Sequence, residues 1–358
     1  MPLYTNPDFQ RLPNRLAALF ARRAQDSFFA LPAWYDLMAR HGVAPGTEIR
    51  LYTDERPGSA IGVLLQVAVP GPEHRLASLV NFYGVEHGVA CDLDADVESG
   101  LAGIVAEIVD ERPRWDCLTL AEFDPREPAY GALVRALRHA GLLVECVFNT
   151  GTWYEDTAGL DFAAYLAARP GQLRNTHHRK RRSVMAGGRL TKAFFADATG
   201  IEEAISGYER VYAASWKPPE RFPSFIPALI RLTAELGALR LGIYCIDGIP
   251  AAVQFWIVWN GRAVIYKLAY DQRFADLSLG TLLTMEMLER VLTDDRPTEI
   301  NFGRGDDPYK KLWLPKRRER WGITAANPRT LRGMRLGLRR EAAKVYHRLR
   351  GEQLTPFL

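Results

Sequence analysis

Residues 239–271 read LRLGIYCIDGIPAAVQFWIVWNGRAVIYKLAYD. Three runs rich in Ile, Val, Trp and Tyr are separated by Asp247-Gly248 and by Asn260-Gly261. β-branched and aromatic residues suit the pleated, half-buried surface of a sheet. Asp-Gly and Asn-Gly supply the two left-handed residues that a two-residue hairpin turn demands. The stretch therefore predicts an antiparallel three-stranded meander. The next segments set the class: a short loop, QRFADLS, an apolar helix, LGTLLTMEMLERVL, and a β-like TEINFG. Hairpins, a crossover helix and a further strand make an α+β order. A dinucleotide-binding unit would alternate parallel strands and helices from its start, so the nearby glycines do not indicate one.

Working outward, the first half also mixes helix and strand. Helical PAWYDLMARHG precedes β-like TEIRLYTDE, AIGVLLQVAVP and RLASLVNFYGV. Helical GLAGIVAEIVDE, strand-like DCLTLAEF, helical AYGALVRALRHAG and strand-like LLVECVFNTGTWYE come next, with Gly141 a C-cap signal. The two halves share a rough plan of strands, then helix, then strand. The expected organisation is a first domain over 1–155, a second over 156–328 and a basic helical tail over 329–358.

Composition is that of a globular protein, 47% apolar and 25% charged in 358 residues. No window holds the roughly 18 apolar, uncharged residues of a membrane span. The start, MPLYTNPDFQRLPNRLAALFARR, has no continuous apolar segment with a cleavage site, so no signal peptide is expected. Cys91, Cys117, Cys146 and Cys245 are widely spaced and form no CxxC pair. They point to a reducing compartment, the cytoplasm, rather than to a disulfide frame or zinc site. The adjacent His177 and His178 lack a third ligand at metal spacing, so no metal is expected. GxSxG is absent, which removes the usual hydrolase signature.

Net charge is only +4, yet fourteen Lys/Arg and two Glu lie between Lys310 and Arg350. A second basic cluster, RNTHHRKRR, spans Arg174 to Arg182. Such concentrations suit a polyanionic partner: a phosphate-bearing cofactor, RNA or an anionic membrane surface, with no sign of DNA binding. In the tail, Leu331, Met334, Leu338, Ala342, Val345 and Leu349 recur at three- and four-residue spacings. Arg332, Arg335, Arg339 and Arg340 occupy the other faces. This is a basic amphipathic helix, expected to dock its apolar stripe on its own domain, with peripheral membrane contact as the other reading.

Two stretches carry candidate chemistry. At the loop-to-helix junction Ser278, Leu279, Gly280 and Thr281 start a helix, Ser278 suiting an N-cap and Gly280 leaving the first amides uncovered. Free N–H groups at the positive end of a helix are a natural pyrophosphate site. The second, NFGRGDDPYKKLW (Asn301–Trp313), packs two glycines, two aspartates, a tyrosine and two lysines behind a strand. Gly303 and Gly305 let the chain turn sharply, Pro308 stiffens the turn and Trp313 anchors it.

The runs YKLAYDQRFADLSLGTLL and INFGRGDDPYKKLW resemble the acetyltransferase domain called BioF2-like or CelD-like, a member of the GNAT superfamily related to the FemAB aminoacyl-transferases. YAASWKPP and IYCIDGIPAAVQFWIVWNGRAVIYK fit the same wording, and LVNFYGVEHG and WDCLTLAEF fit it more weakly. The usual pyrophosphate signature, (Q/R)xxGxG/A, is reduced here to Ser278-Leu279-Gly280. The resemblance implies two tandem GNAT-like domains, each a mixed sheet flanked by helices, followed by the basic C-terminal helix. It also implies N-acyl transfer from an acyl-CoA, acetyl-CoA foremost, to a small-molecule, glycan or peptide amine. The alternatives it leaves are an aminoacyl-tRNA-dependent ligase and a non-catalytic module in envelope or polysaccharide biosynthesis. The donor pyrophosphate would lie on Ser278–Thr281, and Lys267 to Asp271 would lie near the chemistry. Lys267 would hold the donor, and Asp271, on the same strand face, would be among the catalytic residues. Asp306 would orient or relay a proton, with Asp307 capping the helix before Pro308. Tyr309 would protonate the thiolate, and Lys310 would meet developing negative charge or a donor phosphate.

Overall fold

In the computed structural model Asp247, Gly248, Asn260 and Gly261 all have positive φ, between 43° and 77°, so both junctions close as tight hairpins. The structure describes residues 2–350 apart from 57, 58 and 70, with backbone alone for 343–350. Two units emerge, residues 1–151 with 319–358, and residues 152–318.

In chain order the elements are β1 (Leu3–Thr5), α1 (Asn14–Asp26), α2 (Pro32–Leu37), β2 (Ile49–Arg56), β3 (Ser59–Val67), β4 (Arg75–Ser78), β5 (Ala90–Cys91), α3 (Val97–Asp110), β6 (Cys117–Phe123) and α4 (Pro128–His139). After β7 (Leu143–Asp156) come α5 (Phe162–Ala167), α6 (Gly171–Ala186), β8 (Leu190–Phe195), α7 (Ile201–Ala213) and α8 (Phe225–Glu235). The meander is β9 (Leu239–Ile246), β10 (Ile249–Trp259) and β11 (Arg262–Tyr270), followed by α9 (Leu279–Arg290), β12 (Glu299–Asn301), β13 (Lys316–Ala326) and α10 (Leu331–Arg350). The expected strand RLASLVNFYGV ends at Ser78, because Asn81 turns the chain: its Oδ1 accepts from the Tyr83 N–H at 2.9 Å.

Each unit repeats one plan. In the first, β2, β3 and β4 are antiparallel, α3 crosses over, β6 lies parallel to β4, and β13 closes antiparallel on β6. In the second, β9, β10 and β11 are antiparallel, α9 crosses over, β12 lies parallel to β11, and β7 closes antiparallel on β12. Thr152–Asp156 of β7 opens the second unit's own block ahead of its helices, whereas Glu319–Ala326 of β13 reaches the first unit only after the whole of the second. The chain thus returns to the first unit at Glu319, ahead of the expected boundary at 328.

Side-chain alternation sets the layers of the second unit. Gly242 and Ile243 are neighbours on β9 and face opposite ways. A Cβ on Gly242 would meet Met287 Sδ at 2.8 Å and Leu283 at 3.0 Å, whereas Ile243 meets Gly207 of α7. The absence of side chains at 242 and 207 therefore seats α9 on one face and α7 on the other. Trp256, Leu279, Leu283, Met285, Ile300 and Trp313 fill this unit's core. Burying each such side chain contributes about 1.5–3 kcal/mol, enough to hold the start of α9 firmly against the sheet. The first unit is layered likewise, with Ile104, Leu118, Leu133, Leu137 and Ile323 in its core.

The tail differs from expectation. α10 turns Gly333 and Gly337 inward, where added Cβ atoms would meet the Asp116 carbonyl at 2.4 Å and Leu143 Cδ1 at 2.3 Å. Leu331, Met334 and Leu338 are 72%, 40% and 63% exposed, and Ala342 is exposed too. Two glycines let the helix backbone approach more closely than a leucine stripe would, so the small face docks and the apolar one does not. Val345 and Leu349 lie outside the described side chains.

Candidate active site

β11 and β12 run together only from Arg262↔Glu299 to Val264↔Asn301. β11 then continues through Tyr270, while the chain leaves β12 at Phe302. Residues 265–270 thus keep a strand edge within the second unit that β12 does not pair. The register of β10 and β11 also slips between Phe255 and Trp256, leaving Tyr266 as a bulge in the open stretch. Bulges re-aim side chains beside functional sites.

The helix after this edge begins without a cap. Ser278 occupies the N-cap position in left-handed backbone (φ 56°), but its side chain makes no capping bond, contrary to expectation. No acidic residue lies in the first turn of α9. Among the described residues, the amides of Leu279, Gly280 and Thr281 have no acceptor, as expected of a first turn without a cap. The turn is instead held from beneath. Gln254 Nε2 donates to the Gly280 carbonyl (3.2 Å) and to Thr284 Oγ1, and Trp256 Nε1 donates to Gln254 Oε1 (2.8 Å). This buried, satisfied network fixes the carbonyl side of the turn and leaves the amide side open. Lys180, from the basic cluster on α6, donates to the Asp276 carbonyl beside it. The turn could hold a pyrophosphate: free donors, a helix dipole, a neighbouring cation and no carboxylate within the first turn.

Gly303 (φ 57°) and Gly305 (φ 112°) turn the chain out of β12 as expected. Asn301 shapes the turn by accepting from the Gly303 N–H at 3.0 Å. Lys310 is buried, and its ammonium bonds the Arg304 carbonyl, the Gly305 carbonyl and the Asp307 carboxylate, each at 3.0 Å. A Cβ at Gly305 would stand 2.8 Å from that ammonium, so the turn and the lysine require each other. Burial pulls the Lys310 pKa down, and Asp307 opposes the shift. The three ammonium hydrogens are thereby committed within the loop. Asp307 sits at the cap position before Pro308, yet its carboxylate pairs with Lys310 instead of capping. Asp306 forms a two-pronged pair with Arg317 at 2.6–3.0 Å, which holds its carboxyl below the usual range. Tyr309 is 44% exposed with its ring edge-on to Phe302, and burial pushes its phenol up to about 12.

Lys267 and Asp271 do not meet. Lys267 pairs with Glu220 at 2.8 Å, and burial lowers its pKa. Asp271, buried at the end of β11, accepts from the Arg273 N–H (2.9 Å) and guanidinium (2.6 Å), capping the short turn over 272–277. It stands where the strand ends and the turn begins.

The structure adds residues that the sequence reading passed over. Trp216 lies exposed against Tyr270, ring centroids 4.5 Å apart, and Tyr270 in turn backs Gly280. Lys217 stands 5.9 Å from the Tyr212 ring and 5.7 Å from that of Trp216, with no ion-pair partner among the described residues. Burial, with Lys267 adding to it, lowers its pKa to about 8. The one signal in the sequence was YAASWKPP itself, a tryptophan and lysine ahead of two prolines.

Residues 171–311 match the sequence model of a family described as Acetyltransferase (GNAT) domain. No curated protein matches the chain. Among solved structures, a conserved protein of unknown function from Bacteroides thetaiotaomicron aligns with a TM-score of 0.54 at 12% identity, over 87% of this chain and 96% of that one. The C-terminal domain of a putative lysylphosphatidylglycerol synthetase from Agrobacterium fabrum aligns at 0.52 and 14%, over 92% and 96%. FemX aligns at 0.52 and 10%, over 80% and 94%. At these identities the likeness is one of fold. The domain match and the fold together give a GNAT-type, acyltransferase-like fold, and the first unit repeats the strand order of the second. The matched residues lie in the second unit, the one with the open strand edge and the uncapped helix.

Proposed function

We propose that the chain moves an acyl group from an acyl-CoA, acetyl-CoA foremost, to an amine by direct attack. The observation that supports this most is the uncapped start of α9 beside the open edge of β11. One element offers donors to a pyrophosphate, and the other offers backbone groups to a thioester carbonyl. An ammonium acceptor first gives a proton to neutral Lys217 or to water. Its nitrogen attacks the carbonyl carbon, an N–C bond forms and the oxygen becomes an oxyanion. Collapse breaks the C–S bond. As the nitrogen sheds its second proton, the CoA thiolate takes one up, with the Tyr309 phenol as a hydrogen-bond donor beside it. No covalent enzyme intermediate and no redox partner are needed. Asp306, held ionised by Arg317, orients the acceptor. Lys310 fixes the loop that carries Asp306 and Tyr309, and Asp271 fixes the end of β11 behind Lys267.

A second reading, transfer from an aminoacyl-tRNA, draws on the basic α6 with Lys180 beside the donor turn, and on FemX among the structural neighbours. Acceptors in either case are amines on small molecules, glycans or peptides, and the proposed setting is the cytoplasm. Calorimetry with CoA and acetyl-CoA, run beside filter retention of aminoacyl-tRNA, separates the two. CoA binding at micromolar concentration is the expected result. No CoA binding, with tRNA retention that falls steeply with salt, would move the donor to the second reading.

A further inference from the structure

Apart from the open edge of β11, α10 of the first unit presents a surface that the transfer reaction does not use. Its inward face is Gly333 and Gly337, flanked by half-buried Leu336 and Arg340, the latter 3.7 Å from Glu145. Further round the helix Leu331, Met334 and Leu338, at i, i+3 and i+7, form one exposed apolar stripe. Arg335 and Arg339 lie one step round the helix from that stripe, exposed and without ion-pair partners among the described residues. We propose that this face of α10 seats the protein on an anionic lipid surface, the three apolar side chains entering the headgroup boundary and the arginines meeting lipid phosphates.

Three features favour a bilayer over other occupants. Apolar and cationic stripes side by side match the layered chemistry of an anionic interface, where arginine stems lie along the apolar region and guanidinium groups reach the headgroups. RNA would use the arginines but leave the leucines in water. A second protein chain, this one included, would need roughly 800 Å² of buried surface per partner, several times what three side chains can supply. None of the described helices is long and apolar enough to cross a membrane, so the contact is peripheral.

The test is co-sedimentation of the full chain with vesicles of phosphatidylglycerol and phosphatidylcholine in equal parts, against phosphatidylcholine alone. Binding to the anionic vesicles, weakened by added salt, is expected. Leu331→Ser, Met334→Ser and Leu338→Ser together should weaken it at least tenfold, and Arg335→Glu with Arg339→Glu should do the same. Because these side chains are exposed, melting temperature should not move in either variant. Failure to bind the anionic vesicles overturns the proposal. So does binding that the triple variant leaves unchanged, which would assign it to unspecific basic surface. A concentration-dependent dimer that the triple variant dissociates would make the stripe an interface between copies and overturn it as well.

Discussion

The crossover helices of the two units start in opposite ways. α3 opens on Asp96, whose carboxylate accepts from the Ser99 N–H at 3.1 Å, and Glu98 adds a second negative charge to the first turn. α9 opens on Ser278 with no side-chain cap and no acid in its first turn. A helix start carries roughly half a positive charge. The first unit neutralises that charge with its own carboxylates, whereas the second leaves it uncompensated within its first turn. The strands before these helices differ in the same sense. β4 stops one residue after its last parallel pair with β6, at Ser78, while β11 runs on through Tyr270 after its last pair with β12 at Val264. One topology therefore yields a closed end in the first unit and an open one in the second. Fold alone does not set a helix start apart; on the proposed function, the cap and the strand length are what separate the second unit from the first.

The sharpest way to break this contrast is to close the open end. Gly280→Glu places a carboxylate and added bulk where the phosphates would sit, and should weaken CoA binding at least ~100-fold. Ser278→Asp copies the acidic start of α3 at a position whose left-handed backbone aspartate tolerates, and should cost about tenfold. Circular dichroism should show both variants folded. Calorimetry giving wild-type CoA affinity in both would remove the donor from this turn.

Next in size is the loop. Lys310→Ala strips three bonds from a buried ammonium and leaves the Arg304 and Gly305 carbonyls without their donor. Unfolding free energy should drop by about 1–3 kcal/mol. Turnover should drop roughly 10²-fold, the range for a misplaced acid–base or oxyanion group. Asp306→Asn should slow turnover by a similar factor with little loss of stability, since its pair with Arg317 is part-exposed. Wild-type single-turnover rates in both variants would show the loop to be scaffolding away from the chemistry.

Smaller again is the effect of Lys217. Its folded pKa, about 8, lies below that of a free lysine, so the folded protein sheds this proton first as pH rises. Stability should therefore gain between about pH 8 and 10.5, and the burial penalty should be fully present below pH 8. In the wild type, turnover should climb through an inflection near pH 8. Lys217→Met should lower the rate about tenfold at pH 8, flatten that inflection and remove the stability gain. An unchanged pH profile in the variant would assign the proton transfer to water.

Legibility from sequence followed the range of the interactions. Asn260-Gly261 and Asp247-Gly248 encode their turns locally, so the meander and its crossover helix could be read directly. Gly303 and Gly305 were legible for the same reason. The closing pairings were not: LLVECVFNTGTWYE reads as a strand, but the pairing of Thr152–Asp156 with β12 and of Glu319–Ala326 with β6 lies far along the chain, which no local pattern records. The tail misled because helical spacing shows which residues share a face, but not which face docks. Gly333 and Gly337, which that apolar spacing passes over, are its contact. Ser278 misled in a similar way, having the right residue type for a cap and the wrong backbone conformation. Lys217 went unread because its lowered pKa arises from burial and from Lys267, a residue on another element.

The smallest effect expected is the control that gives the comparison its meaning. Asp96→Ala in the first unit uncaps α3, leaving the Ser99 amide without its acceptor and Glu98 as the only acid in the first turn. Loss of such a cap typically costs about 1 kcal/mol, read as a shift of the urea midpoint without a change of slope. CoA affinity should not change, because β4 ends beside β6 and opens no strand edge next to this helix. If Asp96→Ala instead adds a second, weaker CoA site by calorimetry, the cap alone closes the first unit, and the extra length of β11 is not what makes the second one open. If neither stability nor CoA binding moves, the Asp96 bond carries no weight in solution. The contrast between the units would then rest on the strands.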